Sequence, residues 1–535
     1  MTFEERLMKK QYGILWQEYC GFLDFSISEY MAVQNRLLME QIEMYNDCEL
    51  GKRFFRNRKP NSVEEFRKLV PLTSYNDYAD ILLNKNESAL PSKPVIWIET
   101  TWEGGKNPVK VAPYTESMVK ANKNIFLTCM ILATSNKKGE FSLDRNDKFL
   151  YGMAPLPYLT GLAPYSIQGE LSIDFLPPLQ EAEKMSFGQR NTVGFKLGLK
   201  KGIDLFFGVS SVILRMSEMF SSGSKDDKEF KLSNNTLHMN YRLLKAWNNN
   251  RVTKTPILPK DIWKLKGLIC AGTDTLHYKD KIEEYWGIRP LEIFGGTETA
   301  CIASETWEKD GLVLFPDLCF YEFIPEIEME RNIENPSYIP KTYLMNELIP
   351  GTNYELVITN LKGGAFVRYR LGDMFKCLTT GKEDGEVKLP KFSYLDRIPT
   401  TIDISSFTRI SESTIKEVIS LSKIDINDWF AIKEFDENDK SFMHLYMELG
   451  AEGIKGASAK DLIKEHLSLY FRYVDNDYRD LKKLLGMDPL QVSIIPTGTI
   501  QYFKFMNHKQ LRRMNPLPYD VLEILKIAGS RNEVE

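Results

Sequence analysis

Histidine and cysteine are both scarce in this chain of 535 residues, and their spacing excludes several chemistries. The five histidines are His238, His277, His444, His466 and His508, with no HxxxH or HExxH pair among them. A histidine-held metal is therefore not expected. The seven cysteines, Cys20, Cys48, Cys129, Cys270, Cys301, Cys319 and Cys377, are odd in number and form no CxxC pair. That pattern argues against a disulfide framework or a zinc site, and for reduced thiols in a cytoplasmic protein. No GxSxG elbow occurs, which argues against an α/β-hydrolase. GGKNPVK is not a Walker loop, because GxxxxGKS/T is absent. No apolar run approaches the length of a membrane span. The opening MTFEERLMKKQYGILW mixes acids with bases and has no apolar core, so a signal peptide is not expected. A net charge of −4 gives no reason to expect nucleic acid or an anionic membrane as partner.

What is present is an ordinary globular balance, 43% hydrophobic and 27% charged, long enough for about two to four domains. Thr2 to Leu50 reads as two amphipathic packing helices, with Leu7, Ile14 and Leu15, then Met31, Leu38, Ile42 and Tyr45, at helical spacing. Ser62 stands three residues before Glu65, a capping box ahead of a short helix. VIWIETT (Val95 to Thr101) is β-rich and runs into the loop WEGGKNPVK, then VAPYT and a helix from near Thr115. Strand, glycine loop and helix together cradle phosphates with backbone N–H groups, and also make an ordinary surface turn. Asp147 to Ser172 is apolar and broken by prolines, the composition of an apolar pocket or of a packed loop. Ser221 to Asn235 is polar and expected to be exposed. LICAGTDT (Leu268 to Thr275) is a buried-strand pattern followed by a turn, and LEIFGGTETA (Leu291 to Ala300) repeats it. Further on, Ile415 to Leu421 reads as helix, Trp429 to Phe435 and Phe442 to Leu449 as strands, Ala459 to Tyr473 as an amphipathic helix and Val492 to Pro496 as a strand.

The densest chemistry lies in YELVITNLKGGAFVRYRLGD, Tyr354 to Asp373. Tyr354 to Thr359 alternates as a strand, Gly363 and Gly364 mark a turn, and Ala365 to Tyr369 reads as the return strand. Arg368, Tyr369, Arg370, Gly372 and Asp373 then follow within six positions. A carboxylate just past a strand end can accept two hydrogen bonds from a vicinal diol such as ribose. Taken on composition alone, the same residues make an ordinary hairpin with arginine–aspartate pairing across it.

This stretch resembles the signature of the Gretchen Hagen 3 family, the auxin-responsive-promoter proteins and their bacterial relatives within the adenylate-forming superfamily of acyl ligases. The resemblance extends in order along nearly the whole chain. It implies an α/β fold, with a large N-terminal adenylate-forming domain over 1–395 (helical lead-in 1–60) and a small α+β lid over 396–535. It also implies a reaction in which ATP activates a small-molecule carboxylic acid as the acyl-adenylate, followed by transfer to an amine, most simply of an amino acid. Phe294 then stacks on adenine, Gly295 and Gly296 admit close backbone approach, Thr297 reaches the α-phosphate and Glu298 holds Mg²⁺. Ala271 and Gly272, in the AGTD turn, form one side of the adenine pocket. Asp373 binds ribose, and Arg397 of the Asp396–Arg397 pair contacts ribose or phosphate. Thr100, Thr101 and Lys110 line the phosphates, and the apolar 147–172 region helps to form the acid pocket. DNDYRDL (Asp475 to Leu481) and IPTGTI (Ile495 to Ile500) resemble two further family segments.

Three positions depart from the family pattern. Trp102 and Glu103 stand in the phosphate loop, Pro399 and Thr400 follow the hinge pair, and Met514 fills the slot of a C-terminal lysine that stabilises charge during adenylation. Arg512 or Arg513, with Lys509 nearby, is the expected substitute, although a guanidinium is not equivalent to an ammonium. Two other readings stay open on this basis: a coenzyme A ligase of the phenylacetate type, and a degenerate member that binds nucleotide or ligand without turnover. The acid, the acceptor and the oligomeric state are not encoded in any motif.

Overall fold

The computed structural model describes residues 1–56, 58–100, 109–221, 237–381, 386–406, 408–450, 459–474, 486 and 488–532. The chain forms two compact units, one of residues 1–100 and 110–395, the other built on 396–535.

An eleven-stranded sheet organises the first unit. Across it lie Cys319–Pro325, Asn353–Asn360, Tyr369–Thr379, Lys391–Arg397, Leu312–Leu314, Ala300–Glu305, Leu291–Gly296, Gly267–Ala271, Leu205–Val209, Lys148–Tyr151 and Asp174–Leu176. The last five run parallel. Their runs, such as LFFGV and GLICA, are almost wholly buried, because a parallel strand is covered by helices on both faces. The carboxyl ends of Leu291–Gly296, Gly267–Ala271, Leu205–Val209 and Lys148–Tyr151 therefore share one edge, the edge at which open α/β sheets bind ligands. Beyond Leu291–Gly296 the sheet turns antiparallel.

The lead-in is more finely divided than its periodicity suggests. Instead of two helices it contains four, Phe3–Met8, Tyr12–Cys20, Ile27–Tyr45 and Glu49–Phe55. Thr2 with Glu5 caps the first helix as a capping box; the first break follows at Lys9, and a second capping box, Ser26 with Glu29, starts Ile27–Tyr45. Helix Ile27–Tyr45 does more than pack. The buried Gln41 donates to the Gly364 carbonyl at 3.1 Å and accepts from the Gly363 amide at 2.7 Å, and Tyr45 Oη donates to the Gly364 carbonyl at 3.1 Å. Gln34 does the same at the strand Cys319–Pro325, donating to the Cys319 carbonyl and accepting from the Tyr321 amide. The helix thus clamps the Gly363–Gly364 turn. Gly363 sits at φ +85, in the left-handed region that glycine tolerates without strain.

The return strand of that hairpin differs from expectation. It begins at Tyr369, not Ala365, and runs to Thr379, so Asp373 lies inside a strand rather than past its end. Before Tyr369, the amides of Phe366, Val367 and Arg368 donate to side chains: Asn360 Oδ1 at 3.1 Å, Tyr78 Oη at 2.9 Å and Thr359 Oγ1 at 2.9 Å. These side chains take the place of ladder partners.

In the second unit, Ile426–Phe435 and Ser441–Leu449 pair antiparallel and Leu490–Ile495 joins in parallel. Alternation along the strands serves two cores. Trp429, Ala431, Leu445 and Val492 face helices Glu412–Ser422 and Ala459–Val474, while Phe430, Tyr446 and Ile495 face Thr499–Asn507 and Pro518–Asn532. Thr401–Ile404 and Thr408–Ser411 form a separate ribbon.

Candidate active site

Three segments far apart in sequence converge on Glu298. Its side chain is buried beside the carboxyl end of Leu291–Gly296, and Oε1 accepts from Lys110 Nζ at 2.9 Å and from Tyr369 Oη at 2.9 Å. Its backbone carbonyl accepts from Asn360 Nδ2 at 3.0 Å. Lys110 closes the neck of the 101–109 loop: its amide donates to Thr100 Oγ1, and its carbonyl accepts from the Thr100 amide, both at 2.9 Å. The Lys110 ammonium also lies 5.8 Å from the ring centre of Tyr75. Tyr75 Oη is itself bonded to the amide of Val111 at 2.6 Å and to its carbonyl at 3.1 Å. Thr297 is buried, and its carbonyl accepts from Tyr114 Oη at 2.9 Å. Thr101, with Trp102 and Glu103, lies outside the described residues, as do Asp475 to Leu481 and nearly all of the polar tract 221–235.

Phe294 stacks on Tyr394 (centroids 5.3 Å apart, planes at 25°) and meets the edge of Phe375 at 4.8 Å. Tyr394 Oη in turn donates to Asp373 Oδ1 at 3.1 Å, so one tyrosine ties the adenine-stacking candidate to the ribose candidate. The two glycines differ. A Cβ on Gly295 would lie 2.2 Å from the Ala300 carbonyl oxygen, so the hairpin itself demands that glycine. A Cβ on Gly296 would meet only Glu298 Oε2 at 3.5 Å and Thr299 Oγ1 at 3.8 Å, which is ordinary contact. The fold therefore requires glycine at 295 and leaves room at 296. Ala300 takes φ +59 while fully buried, a strained conformation of the kind that clusters at functional sites. Ala271 ends its strand, and Gly272 at φ +138 begins the AGTD turn, where Thr275 Oγ1 donates to the Gly272 carbonyl at 2.7 Å.

The arginines of RYRLGD do not pair with Asp373. Arg368, itself at φ +43, makes a bidentate pair with the buried Glu322 (2.9 and 2.8 Å) and donates to the Arg67 and Val70 carbonyls. Arg370 makes a second such pair with Glu355 (2.8 and 2.6 Å). Both carboxylates belong to neighbouring strands of the sheet, which satisfy the planar fork of each guanidinium better than an aspartate on the same strand. The tyrosine between them points the other way, to Glu298. Tyr369, Tyr394, Tyr75 and Tyr114 are the site residues that motif reading missed. Only the position of Tyr369 inside RYR gave a signal.

In the second unit, Arg397 faces Asp403. Burial opposes ionisation of Asp403, yet Arg409, Lys433 and Arg397 together hold its carboxyl below the ordinary value. The C-terminal cations also have local partners. Arg512 donates to the Asn515 carbonyl (2.6 and 3.0 Å), Arg513 pairs with Asp428 at 3.0 Å over the ring of Trp429, and Lys509 pairs with Asp520 at 2.6 Å. Met514, in the lysine slot, is buried in the core with Trp429 and Val492. All seven cysteines are free thiols. Among the described residues there is no group of three metal-ligating side chains and no helix long and apolar enough to cross a membrane.

Residues 21–151 match the GH3 family N-terminal domain, and residues 312–397 match the GH3 family central domain. The chain carries GH3 family domains. The GH3 matches take in Thr100 and Lys110 and the RYRLGD hairpin. Among solved structures, the fold is similar to that of the acyl acid amido synthetase AtGH3.15 in complex with 2,4-DB, at 14% identity over 96% of this chain and 95% of that one, TM-score 0.50. It is also similar to 2-hydroxyisobutyryl-CoA ligase in complex with 2-HIB-AMP and CoA, at 15% identity over 88% and 87%, TM-score 0.57. The fold is that of adenylate-forming enzymes. No curated protein sequence matches the chain.

Proposed function

We propose that this GH3 protein is an ATP-dependent acyl-acid amido synthetase. The observation that carries the reading is the convergence of Lys110, Tyr369 and Glu298, which brings the phosphate-loop neck, the GGTE turn and the RYRLGD hairpin to one carboxylate. In the first step a carboxylate oxygen of the acid attacks the α-phosphorus of ATP, the bond to the bridging oxygen breaks, and pyrophosphate leaves. In the second, an amine nitrogen attacks the acyl carbon, AMP departs and a proton is released, leaving an amide.

Phe294 presents a ring face to adenine and Asp373 receives the ribose hydroxyls, with Tyr394 setting the position of both. Thr100 and Lys110 face the triphosphate, and Thr297 the α-phosphate. In the structure Lys110 neutralises Glu298, so a triphosphate takes over the ammonium and leaves the carboxylate for Mg²⁺. A single carboxylate suits Mg²⁺, which binds through one or two acids plus phosphate oxygens. When bound, the ion screens the charge that develops on the phosphates. A part for Arg512 or Arg513 requires each to leave its present partner.

A thiol acceptor is the second reading, favoured by the likeness to a ligase whose solved structure contains CoA. The test is pyrophosphate release from ATP and Mg²⁺ across a panel of small carboxylic acids, alone and with amino acids or coenzyme A. Acid-dependent release amplified by amino acids, with an amide in the products, supports the proposal. Amplification by coenzyme A alone replaces it with the thiol reading. Nucleotide binding without release from any acid overturns both.

A further inference from the structure

Arg190 stands apart from the other buried arginine of the first unit, Arg368, and from the half-buried Arg370. Arg368 and Arg370 each hold a glutamate, whereas Arg190, only 6% exposed, meets no carboxylate among the described residues. Its contacts are the Met185 carbonyl (Nη1, 2.6 Å), the Gly152 carbonyl (Nε, 3.4 Å) and the ring of Phe187, 6.0 Å away. Burial pulls its pKa below the ordinary value, with Tyr158 acting in the opposite sense.

Its place in the helix sharpens the anomaly. Helix Phe187–Lys201 carries Arg190, Lys196, Lys200 and Lys201 and no acid. Lys200 and Lys201 lie in the last turn, where the helix dipole favours cations. Arg190 lies near the first turn, where the dipole disfavours them. A desolvated guanidinium at the positive end of a helix, with only carbonyl oxygens to meet it, costs stability unless an anion completes it.

The location says which anion. Gly152 directly follows Lys148–Tyr151, so Arg190 stands at the same carboxyl edge as AGTD and GGTE. The Glu99 amide, one residue before Thr100, donates to the Pro157 carbonyl at 2.9 Å, joining this loop to the phosphate-loop neck. Three strand spacings separate Lys148–Tyr151 from Leu291–Gly296, roughly 14 Å at about 4.8 Å a strand. That is too far for the carboxylate being activated at Thr297, and within reach of the remote end of a small substrate lying in the crevice.

We propose that Arg190 binds a second, unreacting carboxylate, carried by the distal end of the acid or by the amino acid acceptor. The inference rests on the adenylating reading above. A guanidinium matches a carboxylate with two parallel hydrogen bonds, which a neutral donor cannot do.

The test uses the full chain and Arg190→Gln, with Arg190→Lys as the conservative control, in two arms. One compares monocarboxylic with dicarboxylic acids of equal length by pyrophosphate release. The other compares amino acids with their amides as acceptors by product formation. Wild type should prefer the extra carboxylate in one arm. Arg190→Gln should raise KM for that compound on the order of 10- to 100-fold while kcat changes far less, and Arg190→Lys should restore part of the loss. The arm that responds names the source. A wild type indifferent in both arms, or an Arg190→Gln variant that keeps the preference and only melts earlier, overturns the proposal and leaves Arg190 as a tie between Met185 and Gly152. Calorimetric titration with the same compounds without ATP separates the two readings. If wild type releases no pyrophosphate yet binds a dicarboxylate or amino acid, and Arg190→Gln does not, the anion site stands while the adenylating reading falls. Equal binding by both proteins removes the site.

Discussion

The carboxyl edge of the large sheet and the segment 509–515 of the second unit both gather charges, but they use them differently. At the sheet edge, Glu298 receives Lys110 from 188 residues away and Tyr369 from 71 residues away. At the other, Arg512 meets Asn515 three residues on and Lys509 meets Asp520 eleven residues on, and only Arg513 reaches far, to Asp428 in its own unit. Long-range convergence on one buried carboxylate is costly in chain entropy, and it falls at the carboxyl edge of the parallel strands. Short-range pairs at a unit's surface hold local structure and contribute little. Within the hairpin the same contrast separates Arg368, which braces the sheet, from Tyr369, which addresses the site.

The sharpest way to break this picture is at Arg368. Arg368→Ala leaves the buried Glu322 with only Arg67 at 3.5 Å and the Thr342 hydroxyl at 2.7 Å, and should cost about 3 kcal/mol of stability, read as a shift of the urea midpoint. A well-folded, stable variant would show that the arginine is not the brace. Glu298→Gln should retain the fold and reduce acid-dependent pyrophosphate release on the order of 10²- to 10³-fold. Tyr369→Phe, which removes one hydrogen bond to that carboxylate, should cost roughly tenfold. If Tyr369→Phe unfolds the protein instead, the division of labour inside RYR is wrong. The Arg512→Ala, Arg513→Ala double variant should change pyrophosphate release by less than about threefold, as expected of charges with local partners. A hundredfold loss would reverse the comparison and restore both arginines as substitutes for the missing lysine.

The smallest effect concerns the far end of the same sheet. Lys279 is shared between Glu292 and Glu305, and burial pushes the Glu292 carboxyl from 4.5 up to about 7, with Lys279 pulling it back. The folded chain then keeps a proton that the unfolded chain releases, so this group's contribution to stability falls as pH rises from about 4.5 to about 7 and is level above. Glu292→Gln should flatten that slope, by on the order of 1 kcal/mol, in thermal melts taken across the interval. An unchanged slope would mean that Lys279 keeps Glu292 ionised throughout.

Much of the fold was legible because its causes are local. Thr115 caps helix Glu116–Ala133 and Ser62 caps Val63–Leu69 where their residue types suggest, although the expected capping box is only half formed, because Glu65 reaches back to the Asn61 amide and not to that of Ser62. LICAGTDT and LEIFGGTE are a strand and a turn each, and the second unit's strand and helix order follows its periodicity. The lead-in divides more finely than its apolar period suggests because the chain breaks after Met8 and the Ser26 capping box starts a new helix. The return strand starts later than its pattern suggests because Asn360, Tyr78 and Thr359 take the amides of 366–368 with side chains, which no periodicity reports.

Sequence by itself determined which residue types sit in each turn, where helices start, and that the glycines and acids of GGTE and RYRLGD stand on loops and strands of an α/β sheet. Tertiary structure decided which charge meets which: that Arg368 and Arg370 go to Glu322 and Glu355, that Tyr394 joins Phe294 to Asp373, that Lys110 reaches Glu298, and that Arg190 meets no acid among the described residues. The physical reason is the range of the forces involved. Propensity, capping and alternation act over a few residues, whereas pairing of buried charges depends on which strands the sheet sets side by side.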